Sequence, residues 1–464
     1  MKNKFYIALV AFVLYSIGIN AQKELSARLD SVRINQYGQE VNWLTLNPEV
    51  QDGILNFTSE DGSYHFWMDN RVQLDAAIFS NDVLNDIGNG LTIRRARIAF
   101  KAVLWNNWYA ELDLDFSGSA IEMKDMIIGY IFEEHNLILK AGHFRESFGM
   151  ETLTTSRYLT FMERSLISKM DASRHLGFQA NTWGERYSLA GGVFFNTQGD
   201  YEEVEFSQDQ NKDLGIDEGY SLTGRAVFRP IYDKDKVLHL GVSGTYRTPK
   251  TDTEFPDMWR YSTRSHTSIN RKKYIDTDDI LDVDTEVAFD LELAGAFKNL
   301  MFQGEYKNYT VNRDNGDLVT PNTLEPVNLD GFYIQAGYLL FGGRYNYNRA
   351  DGEFTRLTRG KDYGELEVAL RYDYVNANDF DAQIYGGSAE GYSLGLNYYV
   401  NPNVKFMMNY IYNNHDRYAN GKGKLYVGHD ADGNLTKDPF AVTEPDGEAG
   451  DDFGMLSFRI EIDF

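Results

Sequence analysis

Cysteine is absent from all 464 residues, which removes disulfide staples and thiolate metal sites from consideration. Proline is scarce at nine residues, so few elements are broken by a residue that lacks a backbone donor. After the first twenty residues no apolar stretch reaches the eighteen or more that a membrane-crossing helix needs. Positive charge is also short: 45 Lys and Arg face 69 Asp and Glu, a net charge of −24. So acidic an exterior argues against nucleic acid as a partner. The sequence contains no GxSxG, HExxH or P-loop pattern, and its eight His are scattered among strands and turns. Neither an enzyme nor a cofactor site is expected. Asp430, Asp432 and Asn434 have the spacing of a calcium loop, but Gly433 comes two places early and no Glu closes the loop, so it reads as a turn.

What the chain does have is aromatic residues (14%), 41 Gly and alternation. From Met455 to Phe464, Leu456, Phe458, Ile460, Ile462 and Phe464 share one face, and Met455, Ser457, Arg459, Glu461 and Asp463 the other. That period of two describes a strand with lipid on one side and water on the other. Ending on phenylalanine, it is similar to the terminal signal of bacterial outer-membrane barrels. At the other end, Met1 to Lys4 is a short basic region, Phe5 to Ile19 an apolar run too short to span a bilayer comfortably, and Ala21 a small residue suited to cleavage. Residues 1–21 are therefore expected to be a signal peptide. Removing them takes away Lys2 and Lys4 and no acid, leaving −26.

Residues 22–60 show no sustained period and are expected to be a periplasmic lead-in, with one barrel domain over 61–464. Alternation and turn chemistry place strands near 63–80, 90–104, 108–117, 122–132, 137–146, 175–184, 186–196, 219–229, 237–248, 284–297, 300–311, 328–340, 363–376, 389–400, 403–415 and 452–464. The expected fold is all-β, a transmembrane antiparallel barrel of about sixteen strands. Short connections (105–107, 133–136, 231–236, 298–299, 401–403) alternate with long ones (147–174, 197–218, 249–283, 312–327, 416–451), as periplasmic turns alternate with external loops. Residues 341–362 break the rule by being long where a periplasmic turn is required. Either that turn is elaborated or a hairpin is missed and the strands number eighteen.

Within the strand at 90–104, Ala96, Ile98, Phe100, Ala102 and Leu104 form a lipid face. Arg95, Arg97 and Lys101 then point into the lumen, the first two about 6.6 Å apart. A basic lumen attracts anions. On the next strand, however, Tyr109, Glu111, Asp113 and Asp115 share the inward face and are placed to neutralise those bases across the strands. Free anion track and salt-bridged wall both stay open. The loop after Leu137 reverses the local sign: Lys140, Arg145, Arg157, Arg164, Lys169 and Arg174 outnumber Glu146, Glu151, Glu163 and Asp171. Residues 147–174 are expected to fold inward and constrict the barrel, with Arg to Glu pairs, Glu163 with the adjacent Arg164 the obvious one, as the alternative use of its arginines.

The stretch RRARIAF, the block GHFRESFGMETLTTSRYLTFMERSL, the strands from RHLGFQ to GGVFFN and the pair DGFYIQAGYLL and GELEVALRYDYVN together resemble the phosphate-selective porin O and P family. The resemblance covers about Tyr64 to Phe464 and implies a sixteen-stranded, homotrimeric outer-membrane channel, free of cofactors, that passes inorganic anions, phosphate above all, through a basic constriction. By matching motif it implies anion contacts at Arg71, Arg94, Arg95, Arg145 and Arg157, beside Arg97, Lys101 and Arg164 from the residues themselves. Arg94 sits on the lipid parity, so its inclusion requires a local bulge or the strand's rim. One later strand departs from the family pattern: Tyr220 to Arg229 offers only Arg225 and Arg229, with Arg271, Lys272 and Lys273 as loop substitutes. Anion passage is thus better supported than phosphate as cargo. A general small-solute porin, a sealed barrel acting as receptor or adhesin, and an outer-membrane hydrolase are the competing functions; no triad-like cluster supports the last.

Overall fold

A computed structural model describes residues 33–34, 36–41, 44–51, 53–80, 84–195, 219–249, 257–314 and 324–464. Expectations for residues 1–21 and for 197–218 fall outside the described residues. Two units are distinguished, one of residues 1–47 with 59–61 and one of 48–58 with 62–464. In the first, Arg33–Ile34 pairs antiparallel with Glu40–Val41.

The second unit is a closed barrel of sixteen antiparallel strands. In chain order they are β1 (Arg71–Phe79), β2 (Gly90–Leu104), β3 (Trp108–Asp115), β4 (Glu122–Phe132), β5 (Leu137–Arg145), β6 (Arg174–Trp183), β7 (Tyr187–Phe194) and β8 (Ser221–Asp233). There follow β9 (Lys236–Arg247), β10 (Val283–Phe297), β11 (Leu300–Arg313), β12 (Val327–Leu339), β13 (Glu365–Asp379), β14 (Ile384–Tyr399), β15 (Val404–His415) and β16 (Phe453–Asp463). Closure is by β16 on β1, in a register that sets Asp463 opposite Arg71 and Met455 opposite Phe79. The chain break of a barrel is thereby sealed, and no strand edge is left unpaired in hydrocarbon.

Alternation decides which way each residue faces. On β16 the face of Phe458, Ile460, Ile462 and Phe464 is exposed while Met455, Ser457, Arg459 and Glu461 are buried in the interior. Large apolar side chains as open to the outside as Ile128 (65%), Leu370 (61%) and Ile334 (59%) make sense only against lipid. The interior, by contrast, holds Arg, Lys, Asp, Glu and Asn on almost every strand.

Two local irregularities refine the sequence reading. The expected strand 63–80 is broken at Asp69 and Asn70: Tyr64–Met68 pairs with Phe100 to Leu104, and β1 then takes over against Arg97 to Gly90. The strand Ile54–Ser59, within the segment read as a lead-in, joins this sheet by pairing Asn56, Phe57 and Thr58 with Trp67, Phe66 and His65. Residues 341–362 are an elaborated turn rather than a further barrel hairpin. Within it Tyr347 and Asn348 pair with Phe354 and Glu353 in a small two-stranded sheet of their own.

The lumen is not symmetric. An apolar cluster of Phe148, Leu166, Ile167 and Met170 from the 146–173 loop, Tyr261, Tyr274 and Ile275 from the 248–282 loop, and Tyr309, Tyr333, Val375, Ile411 and Phe453 from the wall fills one side. A cavity is left against β2 to β8.

Candidate functional site

On β2, Arg95, Arg97 and Lys101 face inward as alternation requires. Arg97 Nε lies 3.0 Å from Asp115 and Nη1 3.5 Å from Asp113 on β3. Lys101 Nζ lies 3.1 Å from Glu111 and 3.3 Å from Asp69. These two bases belong to a salt-bridged wall. Arg95 differs, since its Nη1 donates to the side-chain oxygen of Gln73 at 2.7 Å and no carboxylate of the described residues is within ion-pair distance. Arg94 lies at a bulge: the register passes from Gln73↔Arg95 to Leu74↔Ile93 and skips it. That extra residue switches the parity of the strand, so Leu91 and Ile93 face lipid above it and Ile98 and Phe100 below it, while Arg94 turns in. Its guanidinium grips Glu163 through Nε (2.6 Å) and Nη2 (3.1 Å).

Residues 146–173, between β5 and β6, cross the lumen and dock on the far wall. Gly149 N donates to Ser243 (3.1 Å), Glu151 N to Glu305 (2.6 Å), Met162 N to Asn409 (3.0 Å) and Leu166 N to Asp373 (3.1 Å). In return Asn397 donates to the Thr160 carbonyl (2.7 Å), Lys405 to that of Arg157 (2.8 Å) and Arg371 to that of Glu163 (2.9 Å). Here irregular backbone at membrane depth is satisfied by inward polar side chains. Entry to the crossing is at Gly149, where φ is +71° and a Cβ would meet the Lys307 ammonium.

The loop's arginines divide by partner. Arg157 pairs with Asp69, and Arg71 donates to Ser156 and, at 3.3 Å, to Thr155 while lying 3.4 Å from Asp463. Burial disfavours the Arg157 charge, but Asp463 and Asp69 more than restore it and raise its pKa. Glu163 is likewise held well below the ordinary carboxylate range, because Arg94 and its hydrogen bonds outweigh burial. Arg145 and Arg164 behave otherwise. Arg145 Nη1 donates to the Thr152 carbonyl. Arg164 donates to the carbonyls of Glu151 (2.8 Å), Thr152 (3.2 Å) and Thr154 (2.6 Å). Neither has a carboxylate of the described residues within ion-pair distance, so their bonds fix the guanidinium planes without cancelling the charge.

Two cavities flank this pair. One, of about 280 Å³ against β2 to β8, is lined by ten bases (Arg71, Arg95, Arg97, Lys101, Lys140, Arg145, Arg157, Arg164, Arg174, Arg225) and six carboxylates (Asp69, Glu111, Asp113, Asp125, Asp351, Glu353). The other, of about 420 Å³ toward the long loops, is lined by Arg94, Arg145, Arg164, Lys169, Arg264 and Lys273 against Glu163 and Asp171. Only Arg145 and Arg164 among these charged groups line both. Seven of the eight bases singled out in the sequence thus border the first cavity, and Arg94 the second.

Sequence reasoning counted Lys140, Lys169 and Arg174 in the local excess of positive charge but did not place them among the anion contacts. Lys140 makes no hydrogen bond or ion pair with the described residues, and its inward parity, between Leu139 and Ala141, was the available signal. Arg174 is committed to Asp125 (3.0 and 2.7 Å). Lys169 donates to the Arg264 carbonyl (3.0 Å), and burial pushes its pKa down to about 8 in spite of Glu163. The two bases of the thinned strand are used structurally: Arg225 forks onto Glu292 (2.7 Å twice) and Arg229 onto the carbonyls of Gly184, Glu185 and Tyr187. Of the substitutes in the 248–282 loop, Lys273 lines the second cavity and Lys272 donates to the Asp86 carbonyl. Asp430 accepts the N–H groups of Asp432 (3.0 Å) and Asn434 (2.9 Å), closing a turn.

Comparison with known proteins adds four findings. The family profile described as "Phosphate-selective porin O and P" matches residues 66–434. Porin O of Pseudomonas aeruginosa is 24% identical over 422 residues, 83% of this chain and 90% of that protein. An uncharacterised protein of Caulobacter vibrioides is 27% identical over 365 residues, 77% of this chain and 70% of that one. Among solved structures, OmpT of Vibrio cholerae, described as a trimer form of an outer membrane protein, superposes with a TM-score of 0.50 at 9% identity, covering 87% of this chain and all of that one; at that identity it speaks to the fold alone.

Proposed function

The chain belongs to the phosphate-selective porin O and P family, and from that premise we propose an outer-membrane channel for passive diffusion of anions, with phosphate or polyphosphate as cargo. One observation carries the reading: Arg145 and Arg164 stand between two basic cavities with their charge uncompensated. A forked guanidinium replaces part of an anion's hydration shell. Because each fork is already engaged by backbone carbonyls, it attracts without closing around the ion, which keeps residence short. In this assignment the pathway runs past Arg94 outside the constriction, Arg145 and Arg164 at it, then Arg95, Arg97, Lys101, Arg71 and Arg157 inside. Ion-paired members shape the passage, whereas Arg145, Arg164, Arg95 and Lys140 supply the field.

We assign residues 1–21 to an export signal, 22–60 to the periplasmic side and 61–464 to the barrel, and a homotrimer as the assembly. Short turns then face the periplasm and long loops the exterior. The pairing of Arg97, Lys101 and Arg157 favours one rival, a general small-solute porin. Reconstitution in a planar bilayer under a KCl gradient separates them: a reversal potential of anion sign, together with block of chloride current by added phosphate, supports the proposal. A channel without ion preference indicates the general porin, and no conductance indicates a sealed receptor.

A further inference from the structure

The turn at 341–362 enters the lumen from the short-turn end. Its stem is gathered by the Glu365 carboxylate, which accepts the N–H groups of Phe341 (2.7 Å), Gly343 (2.8 Å) and Gly360 (2.8 Å). Along its length Tyr345 donates to Glu367 (2.7 Å) and the Tyr347 hydroxyl meets His239 (2.6 Å). Phe354 packs with Met150 of the crossing loop and Val237, Ala294 and Ala296 of the wall. Arg225 then holds the tip, donating to the carbonyls of Asp351 (2.7 Å) and Gly352 (2.9 Å). So anchored, the tip delivers Asp351 and Glu353 into the cavity that is otherwise dominated by bases.

We infer that this turn is a second selectivity element in series with the crossing loop, in which Glu353 passes anions when protonated and retards them when ionised. The inference rests on the anion-channel reading. Glu353 is 7% exposed; the groups acting on it are Asp351 beside it, Arg225 of β8, Arg164 of the crossing loop and the Thr154 side chain. Arg225 is committed to Glu292, which weakens the nearest compensating charge. Burial first, and Asp351 second, push the Glu353 carboxyl up to about 8 against Arg225 and Arg164. Ionisation therefore falls within an experimentally accessible range, and a rise in pH adds a negative charge to the wall of the narrow passage.

The test is chloride conductance of the mature protein in planar bilayers at pH 6.5 and 9.5, chloride being chosen because phosphate itself titrates. Lys169 loses its charge over the same range, so the comparison is made in a Lys169→Arg background, where that base stays cationic. Conductance is expected to fall about threefold or more with rising pH, as one added charge within several ångströms of the ion requires. Glu353→Gln in the same background should hold the low-pH value throughout. An equal fall in Glu353→Gln overturns the inference, as does a flat profile in Lys169→Arg alone, which decides the matter if the Gln variant fails to assemble. Anion preference at pH 6.5 separates the two levels: its retention with a flat profile removes only the turn's role, and its absence removes the channel reading.

Discussion

Replacing Arg145 and Arg164 together by glutamine tests the constriction directly, because it removes both charges while the amide at position 164, standing where Nε does, keeps a donor for the Glu151 carbonyl. A monovalent anion about 5 Å from one guanidinium gains roughly 3 kcal/mol at an effective dielectric constant near 20. Screening over a Debye length of about 8 Å halves this to about 1.5 kcal/mol, or about tenfold in relative permeability. Two such groups set an upper limit of about a hundredfold; Arg95 and Lys140 remain, so the chloride to potassium permeability ratio should drop about ten- to thirtyfold. The assay is the reversal potential in a tenfold KCl gradient. Arg157→Gln is the contrast: it breaks a pair with Asp69 that fixes the loop, so conductance should rise with little change in ion preference. An unchanged preference in the double variant, or a loss of preference in Arg157→Gln alone, would refute the division between uncompensated and cementing arginines.

Other consequences follow from the same contacts. Asp75→Ala takes from the buried Arg459 the carboxylate that engages it at 2.7 Å twice and leaves it only Glu163 at 3.4 Å as an ion-pair partner; it should cost up to about 3 kcal/mol, read as a lower urea midpoint in detergent. Removing β16, or Phe464 with it, should abolish the heat-modifiable band of assembled protein, since β1 and β15 would be left as open edges in lipid; normal insertion would contradict the closure. Gly149→Ala places a Cβ where φ is +71° and Lys307 stands, so the loop's entry should shift and single-channel conductance become heterogeneous. Crosslinking in native membranes should give trimers, and a monomer would remove that assignment.

The sequence alone was enough for the barrel, because a period of two with lipid on one side is a local rule that each strand obeys independently of the others. It placed about sixteen strands, with eighteen left open by the long 341–362 connection, together with the closing strand and the inward parity of Arg95, Arg97 and Lys101. For Arg94 to face inward it required a local bulge or the strand's rim, and the register that skips Arg94 between Arg95 and Ile93 is the bulge. Boundaries were less legible: the kink at Asp69 and Asn70 and the strand Ile54–Ser59 depend on pairing with β2 and with each other, which no single strand encodes. What only the tertiary structure decided is which charges are cancelled. Glu163 is adjacent to Arg164 in sequence yet binds Arg94 and Arg459, while Arg164 turns to carbonyls. Asp69 and Arg157 are far apart in the chain and meet in the lumen. Length showed the 341–362 turn to be unusual, but its course into the lumen, and the arrival of Glu353 beside the bases, depend on contacts with β8, β9, β10 and the crossing loop. Parity sets the face of a residue one strand at a time; the partner it finds there depends on how loops from opposite walls meet, and Coulomb energy depends on that distance rather than on separation along the chain.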